Sequence, residues 1–89
     1  MKAIVKTFVI EKDEIYPNEI NEKLEEFYPL MNAGFLKGNL YRINGEGVLK
    51  GFIRYHMNFF DISTENKRKN QQIKSELEKI LNIKLVESQ

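Results

Sequence analysis

A short turn motif, Asn44-Gly45-Glu46-Gly47, constrains this chain more than any other feature of its sequence. It joins two runs that are rich in β-branched and aromatic residues, 35–44 and 47–60. An Asn-Gly pair between such runs is the strongest short-range signal for a β-hairpin, because both residue types tolerate the positive φ angles of tight turns. The centre of the chain is therefore predicted to form two antiparallel strands.

Strand and helix patterns flank this hairpin. Residues 2–10 predict a first strand, because β-branched and aromatic types dominate there. Apolar residues recur at three- and four-residue steps over 17–28 and 65–81, which predicts two amphipathic helices. Pro29 is expected to kink or end the first helix, which could run slightly beyond residue 28 to a stop at Asn32-Ala33-Gly34, where Gly34 would supply a left-handed cap.

A short apolar run at 83–86 adds a last strand and completes the order strand, helix, strand, strand, helix, strand. This order resembles that of the ferredoxin-like βαββαβ sandwich, an α+β fold. The resemblance implies a four-stranded antiparallel sheet with two helices on one face, so that the other face stays open. A chain of 89 residues is long enough for one domain, and residues 1–89 are predicted to form it.

Strand parity predicts which side chains reach the open face, since successive side chains point to opposite sides of a sheet. With a turn of two or four residues, odd positions of the second strand share a face with even positions of the third. The set expected beneath the helices is Leu36, Gly38, Leu40, Leu49, Gly51, Ile53, Tyr55, Met57 and Phe59. The set expected on the open face is Lys37, Asn39, Tyr41, Ile43, Val48, Lys50, Phe52, Arg54, His56 and Asn58.

In the first strand, Lys6 decides the expected orientation. Burying an unpaired ammonium group beneath the helices is costly, so Lys6 and Phe8 are expected on the open face. The residues expected to be buried are then Ala3, Val5, Thr7 and Val9. The predicted partner-binding face therefore combines rings with cations: Phe8, Lys37, Tyr41, Lys50, Phe52, Arg54 and His56.

Such a face suits two kinds of partner. The run Lys50-Gly51-Phe52, with Phe8 on the first strand, resembles the basic-Gly-aromatic signature of the RNA recognition motif, which implies binding of single-stranded RNA or DNA. The chain departs from that family at Ile53 and Arg54. Because Phe, Tyr and Arg are also enriched in protein interfaces, the preferred prediction is a regulator or inhibitor that binds a protein partner or forms a homodimer.

Charge is unevenly distributed, although the net charge is only +1. Residues 11–26 carry seven acids and two lysines, whereas residues 37–74 carry eight basic and three acidic residues. The basic start of the second helix, Lys67, Arg68 and Lys69, could bind a phosphate or an acidic surface, or could simply be solvated. The acidic stretch lacks the spacing of a calcium loop and is expected to be a solvated helix face.

Catalysis, a cofactor and a metal site are not expected. The chain has no cysteine, and the predicted neighbours of its only histidine, His56, are cations. No apolar run approaches the roughly 18 residues that a membrane span needs, and the lack of cysteine fits a cytoplasmic protein. Lys, Asn and Ile make up 30 of the 89 residues, which hints at an AT-rich genome such as that of a phage or mobile element.

Overall fold

The computed structural model describes residues 3–11 and 15–88, which form two helices and one six-stranded antiparallel sheet. In chain order the elements are β1 (Ile4–Ile10), α1 (Pro17–Phe27), β2 (Leu30–Phe35), β3 (Gly38–Gly45), β4 (Val48–His56), β5 (Phe59–Thr64), α2 (Lys67–Leu81) and β6 (Leu85–Glu87). Across the sheet the strands lie in the order β2-β3-β4-β5-β1-β6. Strands β2 to β5 therefore form a continuous meander, and β1 lies between β5 and β6.

The four-stranded ferredoxin-like sandwich is wrong, because the described residues contain two hairpins that the sequence pattern does not predict. The run 47–60 turns at Met57, whose φ is 55°, and continues as β5 instead of forming one long strand. Residues 30–35 form the edge strand β2 and not the end of a helix capped by Gly34. This strand turns back through Leu36–Lys37, with φ angles of 49° and 67°. Such angles are uncommon for residues other than glycine, so neither turn has a sequence signal.

The core lies between the sheet and the two helices. Helix α1 contacts β3, and α2 contacts β5 and β1. The two helices also contact each other, so both lie on the same side of the sheet. The buried apolar side chains form one cluster: Phe8, Ile10, Ile20, Leu24, Tyr28, Tyr41, Ile43, Ile53, Tyr55, Phe60, Ile62, Leu77, Leu81 and Leu85. Burying one such side chain contributes about 1.5–3 kcal/mol, which makes this layer the main source of stability.

Two asparagines tie the start of α2 to the sheet. The side chain of Asn66 caps the helix by accepting the backbone N–H of Lys69 at 2.8 Å. Asn70 is completely buried, and its Nδ2 donates to the carbonyl oxygen of Ile4 at 3.0 Å. Its Oδ1 accepts the hydroxyl of Thr64. Because these buried polar groups are hydrogen-bonded, the first turns of α2 are fixed against β1 and β5.

A tyrosine–carboxylate contact joins the two helices. The hydroxyl of Tyr28, just after α1, donates to Oε1 of Glu76 in α2 at 2.5 Å. Burial, and then the neighbouring carboxylate, raise the pKa of Tyr28 above its ordinary value. In the unfolded chain tyrosine ionises near pH 10, so the folded protein holds this proton more strongly. The resulting stability is fully present below about pH 10 and is lost as the pH rises further.

Replacing Tyr28 with phenylalanine should therefore reduce the alkaline loss of stability. We expect the free energy of unfolding of Tyr28→Phe to fall less steeply than that of the wild type between about pH 9.5 and pH 11. Urea unfolding at a series of pH values measures this slope. Below about pH 8, where tyrosine is protonated in both states, the two profiles should run parallel. Equal slopes above pH 10 would contradict the proposed role of the Tyr28 hydroxyl.

Candidate functional site

The sheet face opposite the helices is open, and the strand register shows which side chains line it. At its centre, Arg54 of β4 pairs with Leu40 of β3 on one side and Asp61 of β5 on the other. Asp61 in turn pairs with Thr7 of β1. We call this surface the open sheet face and define it by the side chains of Val5, Thr7, Val9, Phe35, Leu40, Arg42, Phe52, Arg54, His56, Phe59, Asp61 and Ser63.

Leu40, Arg54, Asp61 and Thr7 form the central row of the open sheet face, and apolar side chains lie on both sides of this row. Towards one end of the strands, Phe52 and Val5 lie on either side of Ser63. Towards the other end, Phe59 pairs with Val9. Val5 is 56% exposed and Phe59 is 38% exposed. A shallow groove of about 330 Å³ runs along the first side, lined by Val5, Phe35, Leu36, Leu40, Phe52, Arg54, Asp61 and Ser63.

Hydrogen bonds within the molecule satisfy the charges at the centre of this face. Nε of Arg54 donates to Oδ2 of Asp61 at 2.9 Å, and Nη2 lies 2.8 Å from the same oxygen. Nη1 of Arg54 donates to the carbonyl oxygen of Leu36 at 3.0 Å. The hydroxyl of Thr7 donates to Oδ1 of Asp61 at 2.7 Å. The Arg54–Asp61 pair therefore presents hydrogen-bonded groups of zero net charge.

Tyr41 and Ile43, predicted on the open face, instead lie buried beneath the helices. The β3–β4 turn has two residues, as the parity argument assumes, but β4 carries one extra residue. Ile43 pairs with Gly51, whereas Asn44 pairs with Leu49, which leaves Lys50 as a bulge. Beyond this bulge, one extra residue in β4 changes which positions of β3 share a face with a given position of β4. The β3 side chains therefore lie on the opposite face to the predicted one. The buried hydroxyl of Tyr41 is hydrogen-bonded, because it donates to Oδ1 of Asn21 in α1 at 2.6 Å.

Strand β1 also has the opposite orientation to the predicted one. Phe8 is buried beneath the helices, and Val5 and Thr7 lie on the open sheet face. Lys6 lies on the helix side near the sheet edge, where its Nζ is 3.1 Å from Oε2 of Glu87 in β6. The side chain of Lys6 remains 28% exposed. Because the ammonium group of Lys6 is paired with Glu87 and reaches water, placing it on the helix side does not carry the burial cost that the prediction assumed.

The structure brings together only part of the predicted binding face. Phe52, Arg54 and His56 lie on the same side of β4, away from the helices. Lys37 lies in the β2–β3 turn and Lys50 at the β4 bulge, and both are exposed. The cations and aromatic rings that were predicted to share one face therefore lie in different parts of the structure.

The two charged segments are separate from this face. Lys67 and Arg68 are exposed at the start of α2, and Lys69 forms an ion pair with Glu65. A hydrogen bond from Lys69 is the main cause that lowers the pKa of Glu65. The described acids of the other segment lie exposed at the start of the β1–α1 connection or on α1: Glu11, Glu19, Glu22, Glu25 and Glu26. Its remaining acids, Asp13 and Glu14, lie outside the described residues.

Comparisons with protein-family models, with curated proteins and with solved structures find no match to this chain. Within residues 3–11 and 15–88, no helix has the length and apolar character that crossing a membrane requires. In the same residues, no three His, Asp or Glu side chains come together as ligands for a metal ion.

Sequence reasoning missed several members of the open sheet face, above all Val5, Thr7, Phe59 and Asp61. The alternation from Phe60 through Ile62 to Thr64, with polar residues between, was a usable signal for a separate strand. It was obscured because residues 47–60 read as one continuous run. Once β5 is a strand of its own, Asp61 must point away from the buried Phe60 and Ile62.

Proposed function

We propose that this protein is a non-catalytic binding protein whose open sheet face packs against another protein surface, as in a small regulator or inhibitor. One observation supports this function above all others. Apolar side chains, including Val5, Phe35 and Phe59, surround the charge-neutral Arg54–Asp61 pair on a face that neither of the two described helices covers. A contiguous exposed apolar patch on a small protein is typical of an interaction site.

The central ion pair is suited to burial by a protein partner. Covering a charge is expensive when it loses hydrogen bonds to water, but the side chains of Arg54 and Asp61 are already only 21% and 23% exposed. Their partners are the other member of the pair, the Leu36 carbonyl and the Thr7 hydroxyl. A partner therefore removes little additional water from these groups, and the surrounding apolar area contributes the favourable free energy.

Single-stranded nucleic acid fits this face less well. Binding of that kind combines exposed aromatic rings with cations that follow the phosphates. Phe8 and Tyr41 are buried, so two of the predicted stacking rings are not accessible. Asp61 places an anion at the centre of the face, and Arg54 is already paired with it.

Replacing Phe52 with aspartate is expected to abolish capture of the protein partner. Tagged wild-type, Phe52→Asp and Gln72→Asp chains are each incubated with an extract of the source cells, and the proteins that they retain are compared. The salt concentration is about 0.5 M, which screens exposed charges. Gln72 is exposed on α2, so its substitution introduces the same charge away from the sheet. Proteins retained by the wild type and Gln72→Asp, but not by Phe52→Asp, are the expected result. Equal retention by all three chains contradicts the proposal.

A parallel measurement with labelled single-stranded oligonucleotides tests the alternative. We expect no binding that depends on the open sheet face. Binding that weakens steeply between about 50 and 200 mM salt, and that is lost in Arg54→Glu, would instead identify a nucleic-acid site on this face. Circular dichroism of each variant shows whether its fold is retained.

A further inference from the structure

We infer that the protein partner of the open sheet face is a second copy of this chain, an inference that rests on the proposed function. The two sheets would pack face to face about a two-fold axis that runs parallel to β4 and β5 and between them. In this arrangement, each residue of β4 on the open sheet face lies over the β5 residue with which it pairs in its own sheet. The register of one sheet therefore defines the contacts between the two.

Charge supports this arrangement. A two-fold interface joins a surface to itself, so the surface must be complementary to its own copy. The register pairs Arg54 with Asp61, so the axis places each Arg54 over Asp61 of the second copy. Both contacts are attractive, and they occur at the centre of the interface. A face that carried charges of one sign would repel its copy.

Side-chain size supports it as well. The same axis places Phe52 over Ser63 of the second copy, because these two residues also pair in β4 and β5. One strand further out, Leu40 of β3 lies over Thr7 of β1, since both belong to the central row. At these two contacts a large side chain lies over a small one, which suits the spacing of about 10 Å between packed sheets. At the other end of β4 and β5, the axis places His56 over Phe59 of the second copy.

The area is sufficient for a specific contact. The six described strands have three to nine residues each and 39 in all, so at about 3.3 Å per residue and about 4.8 Å between strands they cover roughly 620 Å² per copy. Two copies together would bury about 1,240 Å², which is above the approximate minimum of 1,000 Å² for a specific interface.

The sheet edge is a poorer place for a second copy. Strand β2 is an edge strand, and all six of its residues are exposed. Two register shifts interrupt its pairing with β3, between Leu30 and Asn32 and between Ala33 and Phe35. Bulges of this kind discourage the addition of another strand, so the face is preferred over the edge.

Sedimentation of the purified full chain tests the inference, with a charge exchange as the decisive step. Between about 1 μM and 1 mM, we expect the wild type to reach twice its 10.5 kDa monomer mass. Arg54→Glu alone and Asp61→Arg alone place like charges across the axis and should weaken self-association about 100-fold or more. An equimolar mixture of the two variants should dimerise again, because the introduced carboxylate of one chain faces the introduced guanidinium of the other.

Each other outcome overturns the inference. A wild type that remains monomeric at about 1 mM excludes the second copy, while the Phe52→Asp capture experiment still decides the proposed function. A dimer that persists in both single variants uses another surface. Single variants that stay monomeric when mixed exclude the two-fold arrangement. The double variant Arg54→Glu with Asp61→Arg restores an ion pair within each chain and should dimerise. It therefore tests the arrangement even if the single variants misfold.

Discussion

Replacing Phe60 with alanine is expected to destabilise the protein by about 4 kcal/mol, whereas the same change at Phe59 should cost less than about 1 kcal/mol. The two residues are neighbours in β5 but point to opposite faces of the sheet. Phe60 is fully buried and pairs with Phe8 on the helix side. Its ring centroid lies 4.8 Å from that of Tyr55. Truncation therefore leaves a cavity in the core at Phe60 and only a smaller surface at Phe59.

Urea unfolding of the two variants measures this difference directly. Because the residue type, the substitution and the strand are the same, the intrinsic strand preference largely cancels in the comparison. A chain of this size has a stability of about 4–13 kcal/mol, so Phe60→Ala should remove a large part of it. Equal destabilisation by the two variants would refute the orientation of β5 and, with it, the composition of the open sheet face.

A methyl group added at Gly38 is expected to destabilise the protein by about 3 kcal/mol. The added Cβ would lie 2.3 Å from the carbonyl oxygen of Tyr55, which is backbone and cannot turn aside. Gly45, at the other end of β3, is the matched control. Its added Cβ would meet only side-chain carbons of Lys50, the nearest at 3.1 Å. Since that side chain is flexible, Gly45→Ala should cost less than about 1 kcal/mol.

Thermal unfolding of Gly38→Ala and Gly45→Ala compares the two ends of the same strand. For a domain of this length, a loss of 3 kcal/mol corresponds to a fall in Tm of roughly 12–24 °C. Similar melting temperatures for both variants would show that the close approach of β3 to β4 at Gly38 does not limit stability.

The helices could be predicted from the sequence because their signals are local. The predicted range 17–28 differs from the observed helix, Pro17–Phe27, by one residue. The range 65–81 begins two residues early, because the N-cap is Asn66 and the helix starts at Lys67. Apolar spacing and capping residues act within a few positions, so neither depends on the rest of the fold.

The sheet could not be predicted in the same way, because its decisive features leave little trace in the sequence. The turns at Leu36–Lys37 and Met57 use residues that rarely adopt positive φ. The bulge at Lys50 reversed the predicted orientation of β3, and its only local signal was the adjacent Gly51, since glycine inside a strand often marks a bulge. The orientation of β1 depended on Lys6, whose partner Glu87 lies 81 residues away. Within β4, the positions of Phe52, Arg54 and His56 followed from the local alternation alone.

The pairing of the first strand has a consequence for how the chain folds. Strands β2, β3 and β4 pair only with strands adjacent in sequence, whereas β1 pairs Ile4 with Thr64 of β5 and Phe8 with Glu87 of β6. Closing such long loops costs chain entropy before any contact forms, so the meander is expected to nucleate folding and β1 to dock late. Because Val5 and Thr7 belong to β1, a partially folded chain lacks a complete open sheet face, and we expect the proposed association to be disfavoured during synthesis.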